Sequence, residues 1–261
     1  MQIHPTAVVE DGAELGEGVS IGAYCVVGAK AKLGPGVTLH PHVMVAGRTE
    51  IGANTVIHSF ASLGGPPQHL GYRGEDTRLV IGAQNVIREY VTMNLGTVAG
   101  RGETRIGDNG YFMTSSHVAH DCVVGDHVIM ANCATLGGHV VVDDYVFLGG
   151  LCAIHQFGRI GAFAFIGGCA AVTMDVIPYA SATGNHAMLA GLNVIGLKRR
   201  GLSRETIRDL RAAYRLLFAE ERTFQERLEE VEARYGERAE VRRIIDFIRA
   251  DAHRSIMPPA R

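Results

Sequence analysis

The chain has 261 residues, with 25 basic side chains against 27 acidic ones and a net charge of −2, which gives no reason to expect nucleic acid or an anionic membrane as partner. Thirty-three glycines without the three-residue spacing of collagen point to many tight turns, and five cysteines, odd in number and without a CxxC pair, fit small core residues in a reducing, cytoplasmic setting. No signal-peptide pattern opens the chain, and no apolar run of about 20 residues suggests an integral membrane segment.

From Ile3 an aliphatic residue recurs at every sixth position (Ile3, Val9, Leu15, Ile21, Val27, Leu33) without a miss to Leu63. The register resumes at Ile81, Ile87 and Met93, then shifts by one and runs from Ile106 through Phe112, Val118 and Val124 to Val172. The next position is often glycine or a small or acidic residue, as in "IGAYCV", "LGPGVT" and "IGDNGY". A helix repeats at 3.6 residues and a strand at 2, so six fits neither alone. It suits a short extended piece ending in a turn, with one aliphatic side chain directed inward. Such self-similarity marks a solenoid whose units bury their apolar sides only against neighbours. Hexads in threes give about 18 residues per coil, stacked at roughly 4.8 Å, and the slots present make about eight to nine coils.

Two stretches cannot form rungs: "GGPPQHLGYRGEDTR" at 64–78 and "AGRGETR" at 99–105. Both are expected to project as loops, and loops on a rigid scaffold often carry binding residues. The repeat fades after Val176, so the coil is assigned to 1–178 and a connector to 179–200. Residues 201–261 read as a small helical domain. In it Ile207, Leu210, Tyr214 and Leu217 share one face, "TFQE" at 223–226 forms a capping box for a helix that Gly236 closes, and Val241, Ile244, Ile245 and Ile248 form another face. From Lys198 onward 16 basic residues meet 12 acidic ones, leaving 9 against 15 before it.

One stretch, "SSHVAHDCVVGDHV" at 115–128, places three histidines among the aliphatic hexads. His120 is the third residue of the hexad from Val118, and His117 ends the hexad before. His139 follows 19 residues later, about one coil on, and His155 roughly one coil beyond that. These four therefore line one edge of the prism, with Asp121 beside His120. Three readings are open: tolerated turn histidines, a zinc site, or an acid–base pair in which imidazole takes a hydroxyl proton and the carboxylate supports it.

Through "HVAHDC", "GGHV", "HQFG", the "GNHA" turn, "GLKRRG" and the helical tail, the chain resembles the UDP-N-acetylglucosamine O-acyltransferases that start lipid A synthesis, over essentially its whole length. The resemblance implies a mainly β fold, a left-handed parallel β-helix of hexapeptide repeats followed by a small C-terminal α-helical domain. General crossover rules alone favour the right-handed turn. It implies that His120 is the general base, Asp121 its supporting carboxylate, and the Gly138 N–H the oxyanion donor. It further implies that Gln68, Arg73, His117, His139, His155, Gln156 and His186 contact substrate, and that Gly168 helps to set acyl-chain length. Asn193, Arg199 and Arg200 would bind nucleotide phosphates, reaching over from a neighbouring subunit of a homotrimer. The implied partners are a UDP-amino-sugar substrate and an acyl carrier protein, for which "KRRG", Arg204, Arg208, Arg211 and Arg215 offer a basic docking surface. No metal and no cofactor are expected.

The match departs at His69 and Gly71, where an acidic residue and a lysine are usual; at Asn94 and Leu95, where "HR" is common; and at Ile195, where glutamate often sits. Arg73 is placed to restore the missing positive charge. These changes cluster in substrate loops, which keeps a 3-amino UDP-sugar acceptor open as an alternative. A metal-binding hexapeptide hydratase, an acetyl-CoA-dependent transferase and a purely structural solenoid are the further alternatives. The N-acyltransferases acting later in the same pathway usually carry an extra N-terminal uridine-binding domain, whereas this repeat begins at Ile3.

Overall fold

In the computed structural model, which describes residues 1–251 and 254–260, most hexads fold as a two-residue strand and a turn. The second strand residue points inward: Ile21, Val27, Leu33 and Leu39 on the early coils, and Val118, Val124 and Met130 later, are each at most 3% exposed. Burying such a side chain stabilises by about 1.5–3 kcal/mol, and no coil can do this without the coils on either side.

Among the described residues the strands stack into three walls of 11, 9 and 8 strands, parallel throughout except for the last strand of the first wall. The first wall begins at Gln2–Ile3, the second at Val8–Val9 and the third at Glu14–Leu15. Register advances by 18 residues per rung, as from Gln2 to Ser20, except where loops lengthen a coil, as from Val56 to Val86 and from Val86 to Tyr111. Many turns hold a non-glycine residue at positive φ; Tyr24, His42, Phe60, Asp121, His139 and Tyr145 lie between 58° and 65°. Each costs about 1–2 kcal/mol in backbone energy. Stacking along the corners offsets part of that cost. Tyr24, His42, Phe60 and Tyr90 form one ring ladder with centroids 4.9–5.2 Å apart. His127, Tyr145, Phe163 and Tyr179 form another at 4.5–5.3 Å.

Both interruptions leave the same corner, between the second and third walls. Ser62–Gly65 and Arg78–Ile81 flank the first, and Thr92–Asn94 and Glu103–Ile106 flank the second. The second loop is therefore 95–102, earlier than the expected 99–105, because Glu103 to Arg105 pair with Arg78 to Val80 in the third wall.

Parallel stacking also runs past 178. Ala180–Thr183 adds to Phe165–Ile166 and turns back as a hairpin with Met188–Leu192. Ala180, Ala182 and Leu189 are buried there, a period-2 pattern that a search for sixes overlooks. Among the described residues four helices follow: α1 (Val194–Arg199), α2 (Arg204–Leu217), α3 (Phe224–Tyr235) and α4 (Ala239–Arg249). Ser203 caps α2, and the capping box of Thr223 and Glu226 opens α3, with Gly236 at its end. Ile207, Leu210 and Leu217 of α2 pack against Val241, Ile244, Ile245 and Ile248 of α4 in the same core, with Tyr214 half-buried at its margin.

The tail returns to the coil, bridging Asp175 to Ile256 and Leu189 to Pro259. Asp175 is fully buried between Arg159 and Arg254, at 2.6 and 2.7 Å. Among the described residues no helix is long and apolar enough to cross a membrane.

Candidate active site

The coil that follows the two loops carries "HVAHDC" across the same corner. Strand His117–Val118 ends the second wall and Val123–Val124 begins the third, so Ala119 to Cys122 form the turn. Asp121 holds the turn's positive φ of 60°, a conformation that Asp adopts more readily than most residues. This aims its carboxylate back under the loop of the preceding coil, where it is 0% exposed.

Four donors fill that carboxylate. Oδ1 accepts the Thr97 N–H at 3.1 Å and the Arg101 N–H at 2.8 Å. Oδ2 accepts the Thr97 hydroxyl at 2.6 Å and His120 Nδ1 at 2.8 Å. Burial pushes the acid's pKa up, but the hydrogen bonds from Thr97, His120 and Arg101 together outweigh it and hold it below the usual carboxylate range. The ionised carboxylate has no proton to give, so His120 Nδ1 must be the donor. Neutral imidazole then carries its lone pair on Nε2.

Gly138, one rung further on, lies against this ring. A Cβ there would sit 2.6 Å from His120 Cε1 and 2.7 Å from Nε2, so only glycine allows the approach. Its carbonyl accepts the Phe157 N–H, while its own N–H makes no hydrogen bond among the described residues. The His120 ring and an amide without a hydrogen-bond partner among the described residues thus lie side by side at this corner.

Other imidazoles surround the pair. His139 stands edge-on to His120 with centroids 5.1 Å apart, and its Nε2 lies 3.9 Å from Asp121 Oδ2. His69, from the first loop, reaches the other side of His120 at 5.4 Å. His117, one turn back, bonds Thr92 Oγ1 through Nδ1 at 2.7 Å. Burial lowers the pKa of both His117 and His139, which favours their neutral forms. His155 and Gln156 follow one rung beyond Gly137 and Gly138 on the exposed wall.

Among the described residues, His120, Asp121 and His139 are a group whose ligand atoms lie within 4.8 Å of one another, as a metal would need. The donor set does not suit one. Both Asp121 oxygens are taken by N–H and O–H groups, and His120 Nδ1 is committed to Oδ2.

Several expected residues lie elsewhere. Gln68 is exposed on the first loop, and Arg73 folds back, donating to the Leu70 and Tyr72 carbonyls of its own loop. Its guanidinium therefore helps to close the loop. His186 tops the hairpin beside Ala171, whose rung lies three above His117, about 14 Å along the wall. Gly168 sits on the first-to-second corner above Gly150.

Asn193, Arg199 and Arg200 border a groove of about 820 Å³ with Tyr145, Phe147 and Phe165, on the third-to-first side of the prism. Asn193 caps α1 by accepting from the Gly196 N–H and donates to the Phe163 carbonyl, so both ends of its amide are used. The Arg200 guanidinium lies 4.3 Å above the Tyr145 ring. Within one chain this groove and His120 occupy different edges.

Among the departures, Leu95 is 5% exposed and fills the space over Gly47, while Asn94 Oδ1 is buried without a partner among the described residues. No motif or spacing singles out Thr97, Arg101 or Thr104. Two of the contacts to Asp121 come from backbone amides, which any residue type supplies.

A prism of hexapeptide coils with a helical C-terminal part and, at one corner, a histidine bonded to a buried aspartate defines a hexapeptide-repeat transferase. A model for bacterial transferase hexapeptides matches residues 30–65, and one for "Udp N-acetylglucosamine O-acyltransferase; Domain 2" matches 175–257. An acyl-[acyl-carrier-protein]–UDP-N-acetylglucosamine O-acyltransferase of Caulobacter vibrioides is 59% identical over 203 residues, spanning 78% of this chain and 77% of its own. The protein of that description from Rhizobium johnstonii is 48% identical over 260 residues, 100% of this chain and 96% of its own. The solved UDP-N-acetylglucosamine acyltransferase of Campylobacter jejuni superposes with a TM-score of 0.93 at 37% identity, covering 100% of both chains. The chain belongs to the UDP-N-acetylglucosamine O-acyltransferase family, and its coil is the left-handed parallel β-helix.

Proposed function

We propose that this protein transfers a 3-hydroxyacyl chain from acyl carrier protein to the 3-hydroxyl of UDP-N-acetylglucosamine, the first step of lipid A biosynthesis. The observation that carries the reading is the His120–Asp121 pair, with Nδ1 committed and Nε2 free, lying against the unbonded Gly138 amide. His120 Nε2 takes the proton of the sugar 3-hydroxyl as that oxygen attacks the thioester carbon. The Gly138 N–H bonds the oxygen that becomes negative, and Asp121 stabilises the imidazolium. The carbon–sulfur bond then breaks, and the imidazolium returns its proton to the departing thiolate. An ester and a free carrier thiol result, with no covalent enzyme intermediate.

Names of the relatives specify an O-acyltransferase, which favours the hydroxyl over the amine as acceptor. His117, His139, His155 and Gln156 line the acceptor and acyl side, with Gln68 on the loop above and His186 and Gly168 further along the wall. Arg199 and Arg200 hold nucleotide phosphates, seated by Asn193. Because their groove and His120 lie on different edges of one chain, the reading includes a homotrimer in which a neighbour supplies the phosphate side. Arg204, Arg208, Arg211 and Arg215 are exposed at 4-, 3- and 4-residue spacing on one face of α2, a basic stripe suited to an acidic carrier protein in the cytoplasm.

The test mixes purified protein with 3-hydroxyacyl-carrier protein and either UDP-N-acetylglucosamine or its 3-amino analogue, and follows the products by mass spectrometry. Ester product is expected; amide alone would move the acceptor to the amine, and no product from either would refute the assignment.

A further inference from the structure

The loop at 95–102 contacts the carboxylate with more donors than any other element, although it carries none of the expected site residues. Its outer side is free, with Val98 65% exposed. Its inner side closes on Asp121. Thr97 is 4% exposed, and its carbonyl accepts the N–H groups of Gly100 at 3.1 Å and Gly102 at 2.9 Å, which curls the loop. A Cβ on Gly100 would lie 2.5 Å from Asp121 Cγ, so the backbone rests directly on the carboxylate and leaves no room for water. Thr104, just beyond the loop, accepts the Asp121 N–H at 2.8 Å.

Thr97 Oγ1 and His120 Nδ1 both donate to the same oxygen, Oδ2. Two donors on one oxygen share its acceptor strength, so the hydroxyl sets how firmly the carboxylate holds the imidazole. The two amides on Oδ1 fix the rotation of the group.

We propose that Thr97 is a positioning residue for the acyl transfer: its hydroxyl and amide, with the Arg101 amide, orient Asp121 and moderate its pull on His120, so that Nε2 is presented to the acceptor. This deepens the reading above and rests on it. The threonine touches neither substrate nor reacting atoms and acts through the carboxylate alone.

The test measures kcat/KM against pH for the full chain and for Thr97→Val and Thr97→Ser, with 3-hydroxyacyl-carrier protein and UDP-N-acetylglucosamine. The charged and titratable groups facing the pair are His69 from the first loop, His117 and His139 from the coil turns, Cys122 and Arg101. All are kept in both variants. Valine preserves the shape and deletes the hydroxyl, leaving Oδ2 to hold the imidazolium more strongly. The acid limb, which reports protonation of the base, should move up by about one pH unit, and the plateau should fall about tenfold. Serine should restore both.

A uniform loss with an unmoved limb, or a wild-type profile, would overturn the proposal. If Thr97→Val does not fold, the imidazole 15N shifts of the wild-type protein decide: a proton on Nδ1 of His120 supports the proposal, and one on Nε2 sinks it. Absence of acylated product from the wild-type protein would instead refute the acyl-transfer reading itself.

Discussion

His127 and His139 occupy the same turn position of their hexads, with φ of 57° and 63°. Each ring lies flat on an aromatic ring one rung further on, Tyr145 or Phe157, at 4.5 Å and 7°. By local geometry they are equivalent. Of the two, among the described residues, only His139 has a carboxylate within 4 Å, because the turn one rung before it holds Asp121 where the turn before His127 holds Asn109. A hexad turn therefore accepts an imidazole as a stacking ring. The chemistry depends on what the preceding coils insert above it.

This contrast can be broken most sharply at the base. His120→Ala should lower kcat by about 10²–10⁴-fold while leaving thermal unfolding nearly unchanged, since the side chain fills no core position. A variant retaining full turnover would place the chemistry elsewhere. Gly138→Ala comes next. Its Cβ would meet the His120 ring at 2.6 Å, so ring and amide lose alignment, and kcat should drop about 10²–10³-fold with the coil still folded.

A third comparison uses pH. Burial lowers the pKa of His117 in the folded state, so the unfolded chain binds its proton first. The stability this residue contributes is present above its unfolded value of about 6.5 and declines as pH falls from there toward the folded value. His117→Gln should remove that decline, visible as a flatter urea midpoint between about pH 7.5 and 5. The smallest effect is expected at the other corner. His127→Ala should cost about 0.5–1.5 kcal/mol of stability through lost stacking and leave kcat untouched. A large fall in kcat there would erase the distinction between the two corners.

The coil was legible because every inward slot demands an apolar side chain, and a period of six survives two interruptions once the register is allowed to shift. The histidines were legible as a cluster from 18-residue arithmetic, which brings His139 next to His120. The shared corner of the two loops needed the phase of each coil, which the exact ends of the loops decide; Glu103 joining the third wall was invisible as a pairing. Arg101 leaves no residue signature because it acts through its backbone amide, and the Thr97 hydroxyl leaves none because its contact with Asp121 spans 24 residues and depends on where the loop ends. The charge of Arg73 and the family resemblance at Asn193 point to substrate, but their hydrogen bonds here go to loop closure and a helix cap. Residues 180–192 read as part of a connector because their alternation of buried and exposed positions has the period of ordinary strands and not of six.

A stack of parallel strands ends in a row of unpaired N–H and C=O groups, and such a row can template the addition of further chains. Here the hairpin, Ile256 and Pro259 cover that row, and Arg159 and Arg254 fasten the closure onto Asp175. These residues thus act as a lid on the C-terminal end of the prism, occupying strand groups that would otherwise lie open there.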